Sequence, residues 1–332
     1  MQNLFLRPPK NLFIEVTTEC NLRCKQCHLW MSKEGSGSLS TEEKLGLIKQ
    51  FHQLNSRGRI SLTGGEPMSK MDEFFALTKL CRKLNLDSSA NTNSTYITDN
   101  LIEKTLIEGP TNLLISLDSH LSKVHDYIRG KEGTFDHVVS TIQSLVKLKK
   151  KSAHIKTRIV TSTIIFNDNI GLWRDYILFA KNLGVDGMLF QIIDKTFWNQ
   201  APNDLFFEKN FFKDKERAKN KIDQIIEEFG NDPAIYTKPQ DLRWMKLYID
   251  NPNYISEQVC DSHKRNMMID MNGNVSLCFY MHYLTSGKHI GNIREHRIKD
   301  LWRSQYAGQT RNVMKTCRLH CGMQNCHRKE LN

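Results

Sequence analysis

The chain has 332 residues, 39% of them hydrophobic, with a formal charge of +11, which is enough apolar matter for a large core and excludes a chain that is disordered throughout. No apolar run approaches the roughly 20 residues that span a bilayer, and the N-terminus has no secretory apolar segment followed by a small-residue cleavage site, so a cytoplasmic protein without a membrane partner is expected. Nine cysteines in such a chain point to metal rather than disulfides, because a reducing compartment keeps thiols free.

The first element is an apolar run, Asn11 to Val16, that reads as a buried strand. The loop leaving it carries Cys20, Cys24 and Cys27. Three soft ligands on one short loop suit an iron–sulfur centre or another thiophilic metal. A structural zinc site uses four ligands, whereas this loop leaves a coordination position open for chemistry. Ser40 followed by Glu43 has the pattern of a capping box and opens a helix to about Leu54. A short strand, Arg59 to Thr63, ends in Gly64-Gly65-Glu66-Pro67, where paired glycines let backbone approach a ligand closely and expose carbonyls and N–H groups that can hold an ammonium or carboxylate. A helix over Asp72 to Leu84 carries Cys81, read as core packing.

A third strand covers Leu86 to Asn93. A fourth, Asn112 to Asp118, is apolar except at its C-terminal tip, as a central parallel strand should be. His125, Arg129, Gly130 and Gly133 follow it. The fifth strand, Lys156 to Ile165, is rich in β-branched residues, and the sixth covers Val185 to Ile193. Strands and helices alternating at this spacing predict parallel βαβ units, in which active sites gather at the C-terminal strand ends.

Beyond Ile193 the sequence becomes more polar, with a helical pattern over Lys213 to Glu228 and Asp-Pro and Asn-Pro breaks. Residues 1–195 are expected to form a barrel domain, 196–258 a helical connector and 259–332 a second domain. The last opens with Cys260 and a hairpin signal, Asn272-Gly273 between alternating apolar residues, leading to Cys278. Cys317, Cys321 and Cys326 cluster near the end. The positive charge favours anionic partners. Part of it lies in Lys147 to Ser152 and Lys213 to Lys221, where it can simply solvate helix faces, and no interleaved aromatics signal RNA, so nucleic acid is not an expected partner.

The spacing of Cys20, Cys24 and Cys27, the GGEP sequence at Gly64 to Pro67, and the run from Ser116, Leu117 and Asp118 through His125 to Arg129 resemble the radical S-adenosylmethionine (radical SAM) enzymes. Ser119 replaces the usual glycine in that run. The C-terminal pattern of Cys260, Gly273, Cys278, Gly291-Asn-Ile, Leu301-Trp302 and the final cysteines is similar to the SPASM/twitch extension. The resemblance implies a partial (β/α)6 barrel with a small C-terminal β-hairpin/helix domain. It implies a [4Fe–4S] cluster on Cys20, Cys24 and Cys27 with S-adenosylmethionine on its open iron, and one auxiliary [4Fe–4S] cluster. Five C-terminal thiols are too few for two auxiliary clusters; Cys260 and Cys278 are the expected ligands, with two more among Cys317, Cys321 and Cys326. Cys326 is the expected leftover, and zinc in the same ligands is the competing reading.

By matching positions, Gly64, Gly65 and Glu66 should hold the amino end of S-adenosylmethionine. Ser116 and Arg129 or Arg158 should serve its carboxylate or ribose, Leu189 and Gln191 its adenine, and Asn93 and Asp118 are further expected cofactor-binding residues. Gln26 stands where many relatives have an aromatic residue near adenine; His28 or Trp30 could compensate. The expected reaction is reductive cleavage of S-adenosylmethionine and hydrogen abstraction from a small polar metabolite, phosphorylated or sugar-like. Net oxidation through the auxiliary cluster is expected, with electrons from a donor such as flavodoxin or ferredoxin. The cysteine loop begins close to the start of the chain, which leaves no room for a leader-peptide domain and favours a small substrate. Modification of a ribosomal peptide, by epimerisation or cross-linking, is the second reading. A non-catalytic iron–sulfur carrier is the third, and it has no use for the GGEP cradle.

Overall fold

The computed structural model describes residues 6–32, 35, 37–194, 204–251, 260–281 and 289–317. In chain order the barrel elements are β1 (Asn11–Thr17), α1 (Thr41–Leu54), β2 (Arg59–Gly64), α2 (Met71–Lys83), β3 (Asp87–Thr92), α3 (Ile102–Ile107), β4 (Asn112–Ser116), α4 (Ser122–Arg129), α5 (Thr134–Lys151), β5 (Arg158–Ile165), α6 (Asn167–Ile170), α7 (Trp173–Leu183) and β6 (Gly187–Ile192). Strands β1 to β6 are parallel neighbours in chain order, and the sheet does not close on itself. It is the expected partial barrel.

Burial alternates along the strands as the pleat requires. Leu12, Ile14, Ile60, Leu62, Leu113, Ile115, Met188 and Phe190 are buried on the face covered by helices. The opposite face lines the concave interior and holds the half-buried Ser61, Thr63, Ser89, Ser116, Ser162 and Gln191. The capping box of α1 forms as expected, with Glu43 N donating to Ser40 Oγ (3.2 Å) and Ser40 N to Glu43 Oε2 (2.8 Å). Cys81 is fully buried, and burial pushes its thiol up to about 12, as befits a core thiol.

The connector contributes α8 (Asp204–Asn210), α9 (Lys215–Phe229) and α10 (Pro239–Asp250). Between the last two, residues 234–237 run beside β6: Met188 N donates to Ala234 O (2.7 Å) and Tyr236 N to Met188 O (2.9 Å). That covers an edge strand whose unpaired groups would otherwise invite another chain.

The C-terminal hairpin forms, but not as a detached unit. After α11 (Ser262–Arg265), β7 (Asn266–Ile269) pairs in parallel with β1, and β8 (Val275–Ser276) returns antiparallel. The sheet therefore has eight strands, in the order β6-β5-β4-β3-β2-β1-β7-β8. The free edge of β1 explains the docking, since the hairpin satisfies it. The turn follows the sequence signal, with Gly273 at φ +82° and Asp270 Oδ1 accepting from Asn272 N and Asn274 N, both at 2.9 Å. The helices Ile298–Arg303 and Gln305–Lys315 then pack back on the barrel, where Arg294 grips the capping Glu43 and Trp302 Nε1 donates to Arg7 O (3.0 Å). Among the described residues no helix is long and apolar enough to cross a membrane.

Candidate active site

The loop after β1 alternates in exposure. Cys20, Cys24 and Cys27 are half-buried, while Asn21, Arg23 and Lys25 between them are exposed. Neighbouring elements brace the loop from three directions. From β2, Gly65 N donates to Thr17 O (2.7 Å) and Glu66 N to Glu19 O (2.8 Å). A Cβ on Gly64, which sits at φ +125°, would stand 2.1 Å from Thr17 O, and one on Gly65 would stand 2.1 Å from Glu19 O. The approach expected of this pair is to a ligand; the backbone it lies against in the structure is that of the cysteine loop.

The second brace is Glu66. Its carboxylate is sealed inside the protein, accepting from Thr92 Oγ1 (2.8 Å), Met68 N (3.1 Å) and Asn93 N (2.7 Å), and burial pushes its pKa up to about 7. The side chain therefore joins the ends of β2 and β3 instead of reaching outward, which corrects the expectation that Glu66 itself grips a ligand. Asn93, positioned by that bond, turns its amide toward Cys20 Sγ (3.9 Å) and Asn21 Oδ1 (3.0 Å).

The third brace is the end of α4. Lys25 N donates to Ile128 O (2.9 Å), and Gly130, at φ +71°, lies so close to Arg23 O that a Cβ would come within 2.3 Å. Arg129 is buried beside the Cys24 thiol, whose proton affinity its charge lowers, and Asp118. Its Nε contacts Asp118 Oδ2 at 2.7 Å, in ion-pair range although not aligned as a hydrogen bond. Asp118 is fixed in turn, Oδ1 accepting from Ile164 N (3.0 Å) and its own N–H donating to His125 Nδ1 (3.2 Å). Burial lowers the His125 pKa to about 4, so the ring is neutral and free to accept.

Burial pushes the Cys20 thiol up to about 11, against the opposing pull of the Leu22 N–H. It raises Cys24 as well, with Arg129 pulling the other way. Such thiols stay protonated near neutral pH until a metal cation displaces the proton. Among the described residues no three Cys, His or carboxylate groups form a ready-made metal cage. The donor chemistry nevertheless fits a thiolate-held cluster: three thiols share one rigidly braced loop, a guanidinium and an amide face the sulfurs, and Gln26 Oε1 is buried without a partner. Trp30 is occupied in holding the loop, its Nε1 donating to Cys27 O (2.7 Å) beneath Arg23.

Other expected residues fall into two groups. Ser116 lies in register with Ser162 and Leu189, and Gln191 with Ile164, so these line the interior near the C-terminal strand ends. Arg158 does not join them. It is the first residue of β5, at the N-terminal edge of the sheet, where its Nε donates to Asn112 Oδ1 (2.7 Å) and its guanidinium lies 3.8 Å from Asp87.

A second set of thiols flanks the hairpin. Ser262 N donates to Cys260 Sγ (3.4 Å) and Tyr280 N to Cys278 Sγ (3.3 Å), while Ser262 Oγ donates to Leu277 O (2.8 Å) and ties the two loops together. Cys260 precedes α11 and the start of β7, and Cys278 follows the end of β8. Phe279 packs against Phe13 near the start of β1. N–H donors aimed at sulfur are a feature that tunes iron–sulfur sites. Half-buried Cys317 lies just past the last described helix and its cap Thr316; Cys321 and Cys326 lie outside the described residues.

Comparison with known proteins agrees with this geometry. The model of the radical SAM superfamily matches residues 14–170, and that of the SPASM iron–sulfur cluster-binding domain matches residues 260–327. A probable GTP 3′,8-cyclase of Pyrococcus abyssi is 30% identical over 224 residues, covering 68% of this chain and 69% of its own length. The chain belongs to the radical SAM superfamily. An AdoMet-dependent heme synthase of Oleidesulfovibrio alaskensis is 32% identical over 171 residues, 51% of this chain and only 42% of its own length. Among solved structures, Streptococcus suis SuiB bound to S-adenosylmethionine superposes with a TM-score of 0.71 at 16% identity, over 95% of this chain and 73% of SuiB.

As a radical SAM enzyme with a SPASM-type domain, the protein uses a [4Fe–4S] cluster that binds S-adenosylmethionine, together with auxiliary iron–sulfur chemistry. Cys20, Cys24 and Cys27 would hold the first centre, and Cys260 and Cys278 would contribute to the second. Reading the sequence missed one feature of this enzyme. Asp194, two residues past β6, accepts from Tyr280 Oη (2.6 Å) and Tyr248 Oη (3.3 Å), a link across the open side of the barrel between its two outer strands. An acid just beyond a strand end was a visible signal; a partner 86 residues away was not.

Proposed function

We propose that this radical SAM enzyme cleaves S-adenosylmethionine reductively and uses the 5′-deoxyadenosyl radical to take a hydrogen atom from a small, polyhydroxylated or phosphorylated metabolite. Net oxidation follows, with an electron passing to the auxiliary centre and a proton to a base. The observation that carries the substrate class is the interior lining. Thr63, Ser116, Ser162 and Gln191 face the concavity half-buried, whereas Ser61 and Ser89, in register with Asn112 and Arg158 at the other end of the sheet, are spent on a mutual hydrogen bond of 2.8 Å. Hydroxyls and amides in that number suit a ligand with many hydrogen-bonding groups, because an apolar ligand would leave them unpaired. The backbone carbonyls at Gly64 and Gly65 hold the amino group of S-adenosylmethionine in this reading, Ser116 its carboxylate or ribose, and Leu189 and Gln191 its adenine. Arg129, Asp118 and Asn93 act by holding the cluster loop. The work divides among a barrel at 1–195, a padding connector at 196–258 and an auxiliary-cluster unit at 259–332.

A second reading, modification of a ribosomal peptide, is favoured by one observation: the SuiB fold, also known bound to its precursor peptide SuiA, covers 95% of this chain. At 16% identity that likeness concerns the fold alone, whereas the relatives named for heme and GTP chemistry reach 32% and 30%. The test is anaerobic reconstitution with S-adenosylmethionine and dithionite, scored by 5′-deoxyadenosine. Deuterium transfer into that product from labelled sugars, nucleotides or peptides then names the substrate class. No 5′-deoxyadenosine would refute the reaction, and deuterium arriving from peptide alone would replace the first substrate class by the second.

A further inference from the structure

We propose that the outer face of the cysteine loop, with the adjoining ends of α4 and α8, is the docking surface for an acidic one-electron carrier protein. The inference rests on the reading of Cys20, Cys24 and Cys27 as ligands of a cluster that must be reduced from outside. The three braces close the loop on its inner sides: the Gly64–Gly65 turn, Asn93, and the Arg129–Asp118 pair. What faces solvent is the chain between the thiols, where exposed Arg23 and Lys25 flank Cys24. Each of these residues is a chain neighbour of a sulfur ligand that is itself half-buried, so an electron entering here has a short path.

That face is basic from several elements at once. Lys25 Nζ, from the loop, lies 4.8 Å from the centre of the Tyr127 ring, and Lys209 Nζ, from α8, lies 5.9 Å from it. Lys123 is one helical turn before Tyr127 on α4 and is exposed. Exposed Lys131 follows Gly130, whose backbone is packed against Arg23. Exposed Glu132 and Glu208 flank these cations, and Asp126 is occupied by Gly133 N, Thr134 Oγ1 and Phe135 N. Among the described residues, Lys123, Lys131 and Lys209 outnumber the two exposed acids even without Lys25. A half-buried tyrosine ring under two ammonium groups gives the patch an apolar centre with a charged rim, the anatomy of a transient protein interface. Complementary charge raises the encounter rate by roughly 10- to 1,000-fold and makes it salt-dependent. In the docked pair one electron leaves the carrier, which is oxidised, and enters the cluster, which is reduced; no bond is made or broken.

The test uses the reconstituted full chain, an acidic flavodoxin in its photoreduced form, and the double variant Lys131→Glu/Lys209→Glu, neither position near a thiol in sequence. Cluster reduction is followed by loss of visible absorbance and by electron paramagnetic resonance. Flavodoxin binding to unreduced protein is titrated separately. At low ionic strength the variant should be reduced by flavodoxin about tenfold or more slowly than wild type and bind it more weakly, the gap closing as salt is added. Reduction by dithionite, and the 5′-deoxyadenosine that follows, should be unchanged. Equal flavodoxin-driven rates in the two proteins at low salt would overturn the docking surface. Failure of dithionite to reduce the cluster even in wild type would instead refute the cluster reading on which it rests.

Discussion

Replacing Gly65 by alanine tests whether the glycine pair serves the ligand or the loop. The added Cβ would lie 2.1 Å from Glu19 O and 2.6 Å from Thr18 O. Ordinary contact begins at about 3.4 Å, so one backbone segment has to move by about 1.3 Å. The atoms in the way are backbone atoms on the segment leading into Cys20, and no side chain can swing aside to relieve them. Overpacking of this kind costs about 1–3 kcal/mol, and the shift falls on the segment that sets the thiol positions. Gly65→Ala should therefore lose iron from the first centre on reconstitution and unfold at lower denaturant concentration, with S-adenosylmethionine binding falling as a consequence. Iron content, denaturant midpoint and ligand affinity are measured on the same preparation. Full iron and unchanged stability with weakened S-adenosylmethionine binding alone would refute this reasoning and show that the pair is glycine for the ligand's sake.

Arg129→Leu removes one member of a buried pair and leaves Asp118 without its countercharge, a loss of about 3–5 kcal/mol. Arg129→Lys keeps the charge but not the fork that reaches both Cys24 and Asp118, so iron content should fall in both variants and further in leucine; full iron in Arg129→Leu would remove the guanidinium from the cluster's support. Glu66, raised from 4.5 to about 7 by burial, holds its proton more tightly when folded. It therefore favours the fold below about pH 4.5, and that contribution is lost as pH rises toward 7, at most about 3 kcal/mol. Glu66→Gln forfeits an acceptor at every pH but should lack this slope. The stability difference between the two proteins should thus shift toward the variant by up to that amount across the window in urea titrations, and a pH-independent difference would show that Glu66 is ionised throughout.

Much of the molecule was decided by local sequence. The six parallel strands, the polar tip of the fourth, the capping box at Ser40 and the Asn272-Gly273 turn each follow from short-range patterns, because side-chain period and turn chemistry act within a few residues. The same is true of the three-thiol spacing, since one loop carries all three. Even the misplacement of Arg158 was legible: a residue near the beginning of a parallel strand lies at the end of the barrel opposite the cysteine loop. Tertiary structure decided the pairings. That Glu66 seals itself to Thr92 and Asn93, that Arg129 bridges Cys24 and Asp118, that β7 docks on the edge of β1, and that Asp194 meets Tyr280 all depend on which elements become neighbours. No periodicity encodes such meetings, because the energy that fixes them, the cost of leaving a buried charge, a thiol or a strand edge unpartnered, arises only once the chain has closed around it.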